Sequence, residues 1–254
     1  MGALGIEIAK NVVLSGVKRF TIHDTSNVQF SDLTGQFFVS EEDVGHNRAV
    51  QSLNKIQQLN YYVRADTLSC EVELPSRVED IEASFPTLKT YQAIILAKFY
   101  PNNVLVAWNR FCRLHGIKLI VCSVQGVFGR ILNDWGDDFV VLDKNGEQGN
   151  EVMIKEITIS NPGKVELLTG SKHDLEDGDM VVINNVQGMT VKTHESNNIN
   201  GTYHKIKVIN KSSFHIEDTT IYTEFIRNGT IKLVKVPIPI KFQPLEEIIA
   251  DHNK

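Results

Sequence analysis

The chain opens with Met1-Gly2-Ala3-Leu4-Gly5-Ile6-Glu7-Ile8-Ala9-Lys10-Asn11-Val12-Val13, and the rest of its architecture can be worked out from this segment. Gly2 and Gly5 precede apolar residues with helical spacing, and a short apolar run then ends at Asp24. Glycines at the start of a helix let the backbone approach a ligand closely, and an acid after the following strand can contact a ribose. The segment is therefore typical of the second part of a nucleotide-binding β-α-β unit. That unit also has a preceding strand and one more upstream glycine, so we interpret the chain as a fragment that begins inside it.

The composition limits the classes of protein to consider. With 254 residues and 42% hydrophobic content, the chain can form one large domain or two ordinary ones. A net charge of -5 gives no electrostatic reason to expect nucleic acid as a partner, and no apolar run is long enough to predict a membrane segment. The three cysteines, Cys70, Cys112 and Cys122, lie in apolar surroundings without metal-ligand spacing. This favours buried free thiols in a reducing compartment.

Helical and strand patterns alternate in the first half of the chain. Ser40 followed by three acidic residues predicts a capped helix start, with an apolar helical stripe that continues to Asn60. Residues 126–143 have strand character on both sides of 133–137, which predicts a hairpin that turns there. The same patterns predict extended segments at 63–74 and 92–97, a helix at 104–115 ended by Gly116, and a buried strand at 117–122.

The sequence pattern changes near Asn150. Almost no helical periodicity follows, and short β-rich runs are separated by turn residues, which predicts a small barrel or sandwich. The polar segment 193–200 is predicted to be an exposed loop, and 237–254 an extended segment followed by a short helical tail. The predicted strands are 152–159, 165–168, 180–183, 203–209, 214–216 and 230–236.

Several blocks of this sequence are rare in combination: Gly2-Ala3-Leu4-Gly5, Ser31-Asp32-Leu33, Gly126-Val127-Phe128-Gly129, Asn145-Gly146-Glu147 and Val186-Gln187-Gly188-Met189. Together they resemble the ubiquitin-activating enzyme family over nearly the whole chain. The resemblance implies an inactive adenylation domain, in part, at 1–150. It also implies an all-β first catalytic-cysteine half-domain at 151–237, and a return segment toward the adenylation domain at 238–254. The expected fold class is α/β, a Rossmann-like doubly wound sheet incomplete at its amino terminus, with an inserted small all-β barrel domain.

The resemblance also implies that this copy has lost its nucleotide site. Where the catalytic copy of the family carries an Asn and an Arg that touch ATP, this chain has Asp32 and Gly35. An acidic group repels a triphosphate, which needs cations and donors. Arg48 retains a positive charge of the family, although a solvated helix residue is an equally good interpretation. The magnesium-binding Asp should fall within 97–100, where there is no carboxylate.

We therefore expect no catalytic residue, no metal site and no cofactor in this chain. What is left is a degenerate nucleotide site around Gly2, Gly5, Asp24, Asp32, Gly35 and Arg48. For the parent enzyme the resemblance implies ATP and magnesium as cofactors, adenylation of the ubiquitin carboxyl terminus, and transfer to a cysteine outside this chain. The implied partners are the catalytic adenylation half and ubiquitin, with no nucleic acid and no membrane. The implied location is the cytoplasm and nucleus.

Two alternatives stay open. One is the small-subunit-like half of an activating enzyme for another ubiquitin-like modifier; such halves lack the all-β insertion, so 152–236 argues against it. The other is an NAD-dependent oxidoreductase, which Gly2, Gly5 and Asp24 alone suggest. No catalytic Tyr/Lys, His or Cys constellation supports the oxidoreductase, and capping of a turn is the commoner role for an acid such as Asp24.

The first domain should also have unpaired strand edges. In an open doubly wound sheet the strand before the glycine motif is central, so without it the runs at 20–23 and 92–97 would each lack a neighbour. The chain should therefore retain further residues upstream, fill this gap by self-association, or have a looser first domain than the all-β one. We expect weaker protection of backbone amides from hydrogen exchange in 5–24 than in 180–183 and 206–208.

Overall fold

The computed structural model describes residues 1–252, which form two compact units. The first unit comprises Met1–Phe139 and Ile240–Lys254, and the second comprises Val140–Pro239. The predicted domain boundaries at 150 and 237 stay predictions. Residues 253 and 254 of the predicted helical tail lie outside the described residues.

The first unit alternates helices and strands. Its elements begin with α1 (Ala3–Leu14), β1 (Arg19–Ile22), α2 (Arg48–Leu59), β2 (Arg64–Thr67), α3 (Val78–Ser84) and β3 (Ala93–Leu96). They continue with α4 (Asn102–Leu114), β4 (Lys118–Gln125), β5 (Phe128–Asp134) and β6 (Phe139–Val141), by which the chain passes into the second unit. Short 3-10 helices cover Phe30–Thr34, Glu41–Asp43 and Pro86–Thr90.

The strands of the first unit form two small sheets. β1 pairs with β2 in parallel, and β3 pairs with β4 in parallel, while β5 adds to β4 in the antiparallel direction. The connections through α2 and α4 are the crossovers that parallel strands require. The helices bury one apolar face each, for example Ile6, Ala9 and Val13 of α1 and Leu105, Trp108 and Phe111 of α4. The expected doubly wound α/β class is confirmed for this unit.

Three local predictions for the first unit were wrong. Ser40 caps only a 3-10 turn, in which Ser40 and Asp43 form a capping box, and α2 begins at Arg48 with Asn47 as its cap. The extended segment at 63–74 is a strand over Arg64–Thr67 only. The hairpin turns at Gly126, which has a φ of +60°, and not at 133–137. Asp134 at the end of β5 is 3% exposed and hydrogen-bonded to α4, so the strand continues to that point.

Other predictions for the first unit hold. The helix predicted at 104–115 is α4, and Gly116 after it has a φ of +66°, which favours glycine. The buried strand predicted at 117–122 is the first part of β4, with Leu119, Val121 and Cys122 buried. Both predictions rest on strong local signals.

The second unit is all-β. Its strands begin with β7 (Glu151–Ile157), β8 (Gly163–Leu167), β9 (Met180–Asn184), β10 (Gln187–Gly188), β11 (Thr190–Val191) and β12 (His194–Asn198). They continue with β13 (Tyr203–Lys205), β14 (Lys207–Asn210), β15 (Ser213–Ile216), β16 (Phe225–Arg227) and β17 (Thr230–Val234). The chain then returns through β18 (Ile238–Ile240) to the closing helix of the first unit, α5 (Leu245–His252).

Seven strands of the second unit form one antiparallel sheet in the order β13-β9-β17-β7-β8-β15-β14. Its first and last strands, β13 and β14, are joined through the single residue Ile206, which is buried. The sheet must therefore curl until its two edges come together, as in a small barrel. The side chains turned inward form a separate core that includes Val165, Val181, Ile183 and Phe214. The expected small all-β domain is confirmed.

Two details of the second unit differ from the predictions. The run predicted at 203–209 is two strands, because the chain switches sheet edge at Ile206. The predicted loop at 193–200 contains β12, which pairs with β11, and Ile199 just after it is fully buried. A polar strand with one buried anchor has no alternating apolar pattern, so its sequence does not distinguish it from a loop.

Among residues 1–252, no helix combines the length and the apolar character that crossing a bilayer requires.

Candidate functional site

The six predicted site residues meet at the start of α1. Gly2 is the N-cap of α1, and Asp24 follows β1. Asp32 and Gly35 belong to the 3-10 turn after it, and Arg48 is the first residue of α2. Asn47 fixes this position of Arg48, because its side chain accepts a hydrogen bond from the Val50 amide and donates one of 2.7 Å to the carbonyl of Asp24.

Arg48 lies between the two carboxylates. Its Nε donates to Oδ2 of Asp24 at 3.0 Å and its Nη2 to Oδ1 of Asp24 at 3.3 Å, a forked pair. Its Nη1 donates to Oδ1 of Asp32 at 2.9 Å. The side chain of Arg48 is only 18% exposed, and those of Asp24 and Asp32 are 8% and 13% exposed. The interpretation of Arg48 as a solvated helix residue was therefore wrong.

The charges of this cluster hold one another in the ionised state. Burial alone would raise the pKa of Asp24, but the Met1 ammonium, the Ser26 amide and the Arg48 guanidinium lower it to about 2. Burial also opposes the charged form of Arg48, yet its two carboxylate partners raise its pKa above the ordinary value. The Ser26 amide donates to Asp24 at 2.9 Å, so the predicted turn-capping role of Asp24 is confirmed.

Asp32 and Gly35 have structural roles. The Asp32 carboxylate accepts a 2.9 Å hydrogen bond from the Gln29 amide, in a capping box that closes the 3-10 turn. A Cβ placed on Gly35 would lie 3.1 Å from the Cβ of Ala3, so this turn packs closely on α1. A side chain at position 35 would need Ala3, in the first turn of α1, to shift slightly.

The cation of this cluster already has partners. The Arg48 guanidinium is hydrogen-bonded to two carboxylates, and a phosphate group that bound it would have to displace both. The segment 97–100, where the resemblance implies a magnesium ligand, has no carboxylate, and Phe99 in it is 55% exposed. No group of three metal-ligating side chains occurs in the part of the chain that the structure describes.

The cysteines are shielded. Cys112 and Cys122 are buried and Cys70 is partly buried. Burial raises the pKa of the Cys112 thiol to about 12, and it also raises the pKa of Cys122. Because the thiolate is the reactive form, these two side chains behave as packing groups.

The sequence analysis missed a second buried polar cluster in the first unit. Asp134 accepts hydrogen bonds from Asn109 at 2.6 Å and from Arg113 at 2.7 Å and 3.0 Å. The Asn109 side chain also accepts the amide of Leu245, which anchors α5. Asn109 and Arg113 are four residues apart on one face of α4, and this spacing was the available signal.

A third polar group that the sequence analysis missed lies in the second unit. The two ring nitrogens of His204 contact the Glu217 carboxylate at 3.0 Å and the Thr202 hydroxyl at 2.6 Å. His204 is 8% exposed, and Glu217 also accepts the Lys205 amide at 2.9 Å. The cluster ties β13 to the segment after β15.

Comparison of the sequence with known proteins identifies the family of the chain. The sequence pattern of the ThiF family matches residues 1–137, more than half of the chain, and the chain belongs to that family. The pattern of the "Ubiquitin-activating enzyme E1 FCCH domain" matches residues 160–235, within the all-β unit.

Two relatives that match 98% or more of this chain are both ubiquitin-like modifier-activating enzymes. The chain is 37% identical to ubiquitin-like modifier-activating enzyme 1 of Oryctolagus cuniculus over 249 residues, which is 98% of this chain and 22% of that protein. It is 38% identical to ubiquitin-like modifier-activating enzyme 6 of Mus musculus over 265 residues, 100% of this chain and 24% of that protein. The resemblance to ubiquitin-activating enzymes is confirmed, and the chain spans less than a quarter of these relatives.

Among solved structures, a crystal structure of SeMet PaaA matches 50% of this chain and 39% of its own, with 20% identity and a TM-score of 0.42. The candidate ribose ligand of the oxidoreductase alternative, Asp24, is hydrogen-bonded to Arg48.

Proposed function

We propose that this chain is a non-catalytic, amino-terminal part of a ubiquitin-activating enzyme. In this proposal the first unit supports a catalytic adenylation half of the same enzyme, and the all-β unit forms one wall of the cleft that receives ubiquitin. The observation that carries the proposal is the engagement of Arg48 with Asp24 and Asp32, because it removes the phosphate-binding cation from the degenerate nucleotide site. The close packing of Gly35 on Ala3 supports it as well.

The chemistry of the whole enzyme then belongs to parts outside this chain. The parent would use ATP and magnesium to adenylate the ubiquitin carboxyl terminus and would carry ubiquitin as a thioester. Neither Cys112 nor Cys122 suits that role, because burial disfavours the thiolate of each. This chain would bind no cofactor of its own, and its partners would be the catalytic half and ubiquitin, with no nucleic acid and no membrane.

The all-β unit supports a single-chain ubiquitin-activating enzyme over the small-subunit-like half of an enzyme for another modifier. Such halves, by the resemblance, lack this insertion, whereas here the FCCH pattern matches 160–235. Buried free thiols are stable in reducing compartments, which supports a location in the cytoplasm and nucleus.

ATP–pyrophosphate exchange tests the proposal directly. We expect the purified chain with ubiquitin, ATP and magnesium to show no exchange above a protein-free blank, while a complete ubiquitin-activating enzyme in the same buffer is active. A second measurement uses tryptophan fluorescence during thermal unfolding, because Trp108 and Trp135 both lie in the first unit. ATP at about 100 times its dissociation constant would stabilise a binding protein by roughly 2.7 kcal/mol, and we expect no such shift. Robust exchange by the chain alone would overturn its assignment as the non-catalytic copy.

A further inference from the structure

Three asparagines of the chain are followed by a glycine: Asn145, Asn200 and Asn228. In such a pair the backbone nitrogen of the glycine can attack the asparagine side chain, because glycine has no Cβ to block the approach. Asparagine is accordingly one of the thermolabile residues of proteins. The sequence does not rank the three pairs, whereas their surroundings in the structure differ.

The surroundings of Asn200 hold both ends of its side chain. The side-chain oxygen accepts the Val186 amide at 2.7 Å, and the side-chain nitrogen donates to the Val186 carbonyl at 2.9 Å. The Gly201 amide donates to the carbonyl of Ile183, in β9, at 2.8 Å. Attack of the Gly201 nitrogen on Asn200 would break all three hydrogen bonds.

Asn228 lies in the tight turn between β16 and β17. The φ angles of Asn228 and Gly229 are +61° and +117°, and Gly229 is buried. A Cβ on Gly229 would lie 2.7 Å from the side chain of Val186, so Gly229 is closely packed. This packing restrains the movement of the Gly229 nitrogen that attack on Asn228 requires.

Asn145 has a different environment, in the exposed loop that joins β6 to β7. The Gly146 amide donates to Oδ1 of Asp143 at 3.0 Å, and the side-chain oxygen of Asn145 accepts the Glu147 amide at 3.1 Å. The attacking nitrogen therefore contacts a base, and the oxygen that takes up negative charge during the attack contacts a donor. General base catalysis and oxyanion stabilisation use these two kinds of contact.

The Asp143 carboxylate is available to accept a proton. Lys235 and the amides of Gly146 and Asn145 lower the pKa of Asp143, so its carboxylate is ionised at neutral pH. Because the loop is exposed, water can reach any product of the attack. The charged side chains that line the same cleft as Asp143 are those of Glu147, Lys232 and Lys235.

We propose that the loop 143–147 promotes the conversion of its own Asn145 into aspartate and isoaspartate through a cyclic succinimide. The Gly146 nitrogen forms a bond to Cγ of Asn145, and its proton passes to the Asp143 carboxylate. The C–N bond of the side-chain amide then breaks, and the departing nitrogen takes that proton and leaves as ammonia. Water opens the ring at one of its two carbonyl carbons, which gives aspartate or isoaspartate. The proposal does not depend on the proposed function.

Ageing of the full chain in water enriched in oxygen-18 tests the proposal, because each ring opening adds one labelled oxygen to the peptide that carries it. Peptide mass mapping then gives the rate at each asparagine. We expect conversion of Asn145 to be at least about tenfold faster than that of Asn200 or Asn228. The same chain unfolded in urea is the control, and there the three rates should converge because the contacts that distinguish the sites are lost.

Asp143→Asn tests the role of the base. Asparagine keeps an oxygen that can accept the Gly146 amide but loses the carboxylate, so conversion of Asn145 should slow by at least about tenfold. Its rate should also rise with hydroxide concentration, whereas the unchanged chain should have a nearly level rate between about pH 6 and 8. Asp138→Asn is the matched control: it removes an exposed acid from the same segment and should leave the rate at Asn145 unchanged.

Three results would overturn the proposal. One is equal conversion of the three asparagines in the folded chain. The second is a ranking of the three sites that persists in urea, which would place its cause in the neighbouring sequence. The third is an Asp143→Asn variant that converts Asn145 as fast as the unchanged chain or faster, which would show that the Asp143 contact only restrains the loop.

Discussion

Replacing Arg48 with methionine removes the guanidinium but keeps an unbranched side chain of related length. Asp24 and Asp32, which are 8% and 13% exposed, then lose the cation between them. Breaking a buried ion pair by removing one partner costs about 3–5 kcal/mol. Asp24 keeps the Met1 ammonium and the Ser26 amide, and Asp32 keeps the Gln29 amide, so we expect a loss of about 3 kcal/mol, toward the lower end of that range.

Urea unfolding followed by tryptophan fluorescence measures this loss in the right unit, because both tryptophans belong to the first unit. A loss of about 3 kcal/mol corresponds to a fall in Tm of about 6–12 °C for a domain of this size. Arg64→Met is the matched control: Arg64 is 78% exposed and lies 3.9 Å from its nearest carboxylate, Asp66. We expect that variant to lose less than about 0.5 kcal/mol.

A double-mutant cycle separates the ion pair from general packing. Arg48→Met and Asp32→Asn should be non-additive, since the second change removes one of the charges that the first leaves unpaired. If Arg48→Met destabilises the first unit no more than Arg64→Met does, then Arg48 is solvated in solution. The account of the site as internally neutralised would then be wrong.

Four further outcomes are expected. The pKa of Asp24 is lowered to about 2 in the folded chain, so its contribution to stability is present above the unfolded pKa of about 3.8 and is lost as the pH falls toward 2. The free energy of unfolding should therefore depend less on acid pH in Asp24→Asn, and a pH profile identical to that of the unchanged chain would contradict this. Gly163→Ala places a Cβ 2.6 Å from the buried Thr219 hydroxyl, and this overpacking should destabilise the second unit by about 1–3 kcal/mol. Unfolding followed by far-UV circular dichroism should show the loss, while the unfolding transition detected by tryptophan fluorescence stays unchanged. Asn109→Ala removes the side chain that joins α4 to the Leu245 amide at the start of α5, so hydrogen exchange of the α5 amides should accelerate. Unchanged exchange rates in α5 would show that apolar contacts alone keep this helix in place. Val140–Pro239, excised, should give dispersed amide resonances and a cooperative melt because it has its own core, and a collapsed spectrum would show that it needs the rest of the chain.

Predictions that rest on strong local signals succeeded. The helical stripe and terminal glycine of α4 are complete within 15 residues, and the apolar run of β4 is as local. The position of the hairpin turn was predicted wrongly, because the sequence has two segments that could form the turn. Gly126 can turn at a φ of +60°, while the polar run near Asp134 is drawn into the sheet by Asn109 and Arg113, which are distant in sequence.

In the candidate site, too, the sequence predicted features of short segments but not contacts between distant ones. The residues around Gly2, Asp32 and Gly35 could be named from the sequence, because the glycine pattern and the family resemblance are properties of short blocks. The sequence could not predict the partners of Arg48 or the contact between Gly35 and Ala3, because both depend on how α1, the 3-10 turn and α2 pack together.

By itself, the sequence determined the alternation of helices and strands in the first unit, the change from an α/β to an all-β pattern, and which residue types stand at positions 32, 35 and 48. These are matters of side-chain periodicity and residue identity, which act over a few neighbouring positions. The tertiary structure alone showed that the Arg48 charge is used internally, that the all-β sheet curls at Ile206, and that Asn109 and Arg113 hold Asp134 at the end of β5. Ion pairs and strand edges are set by packing between segments far apart in the chain, and that distance leaves no local trace in the sequence.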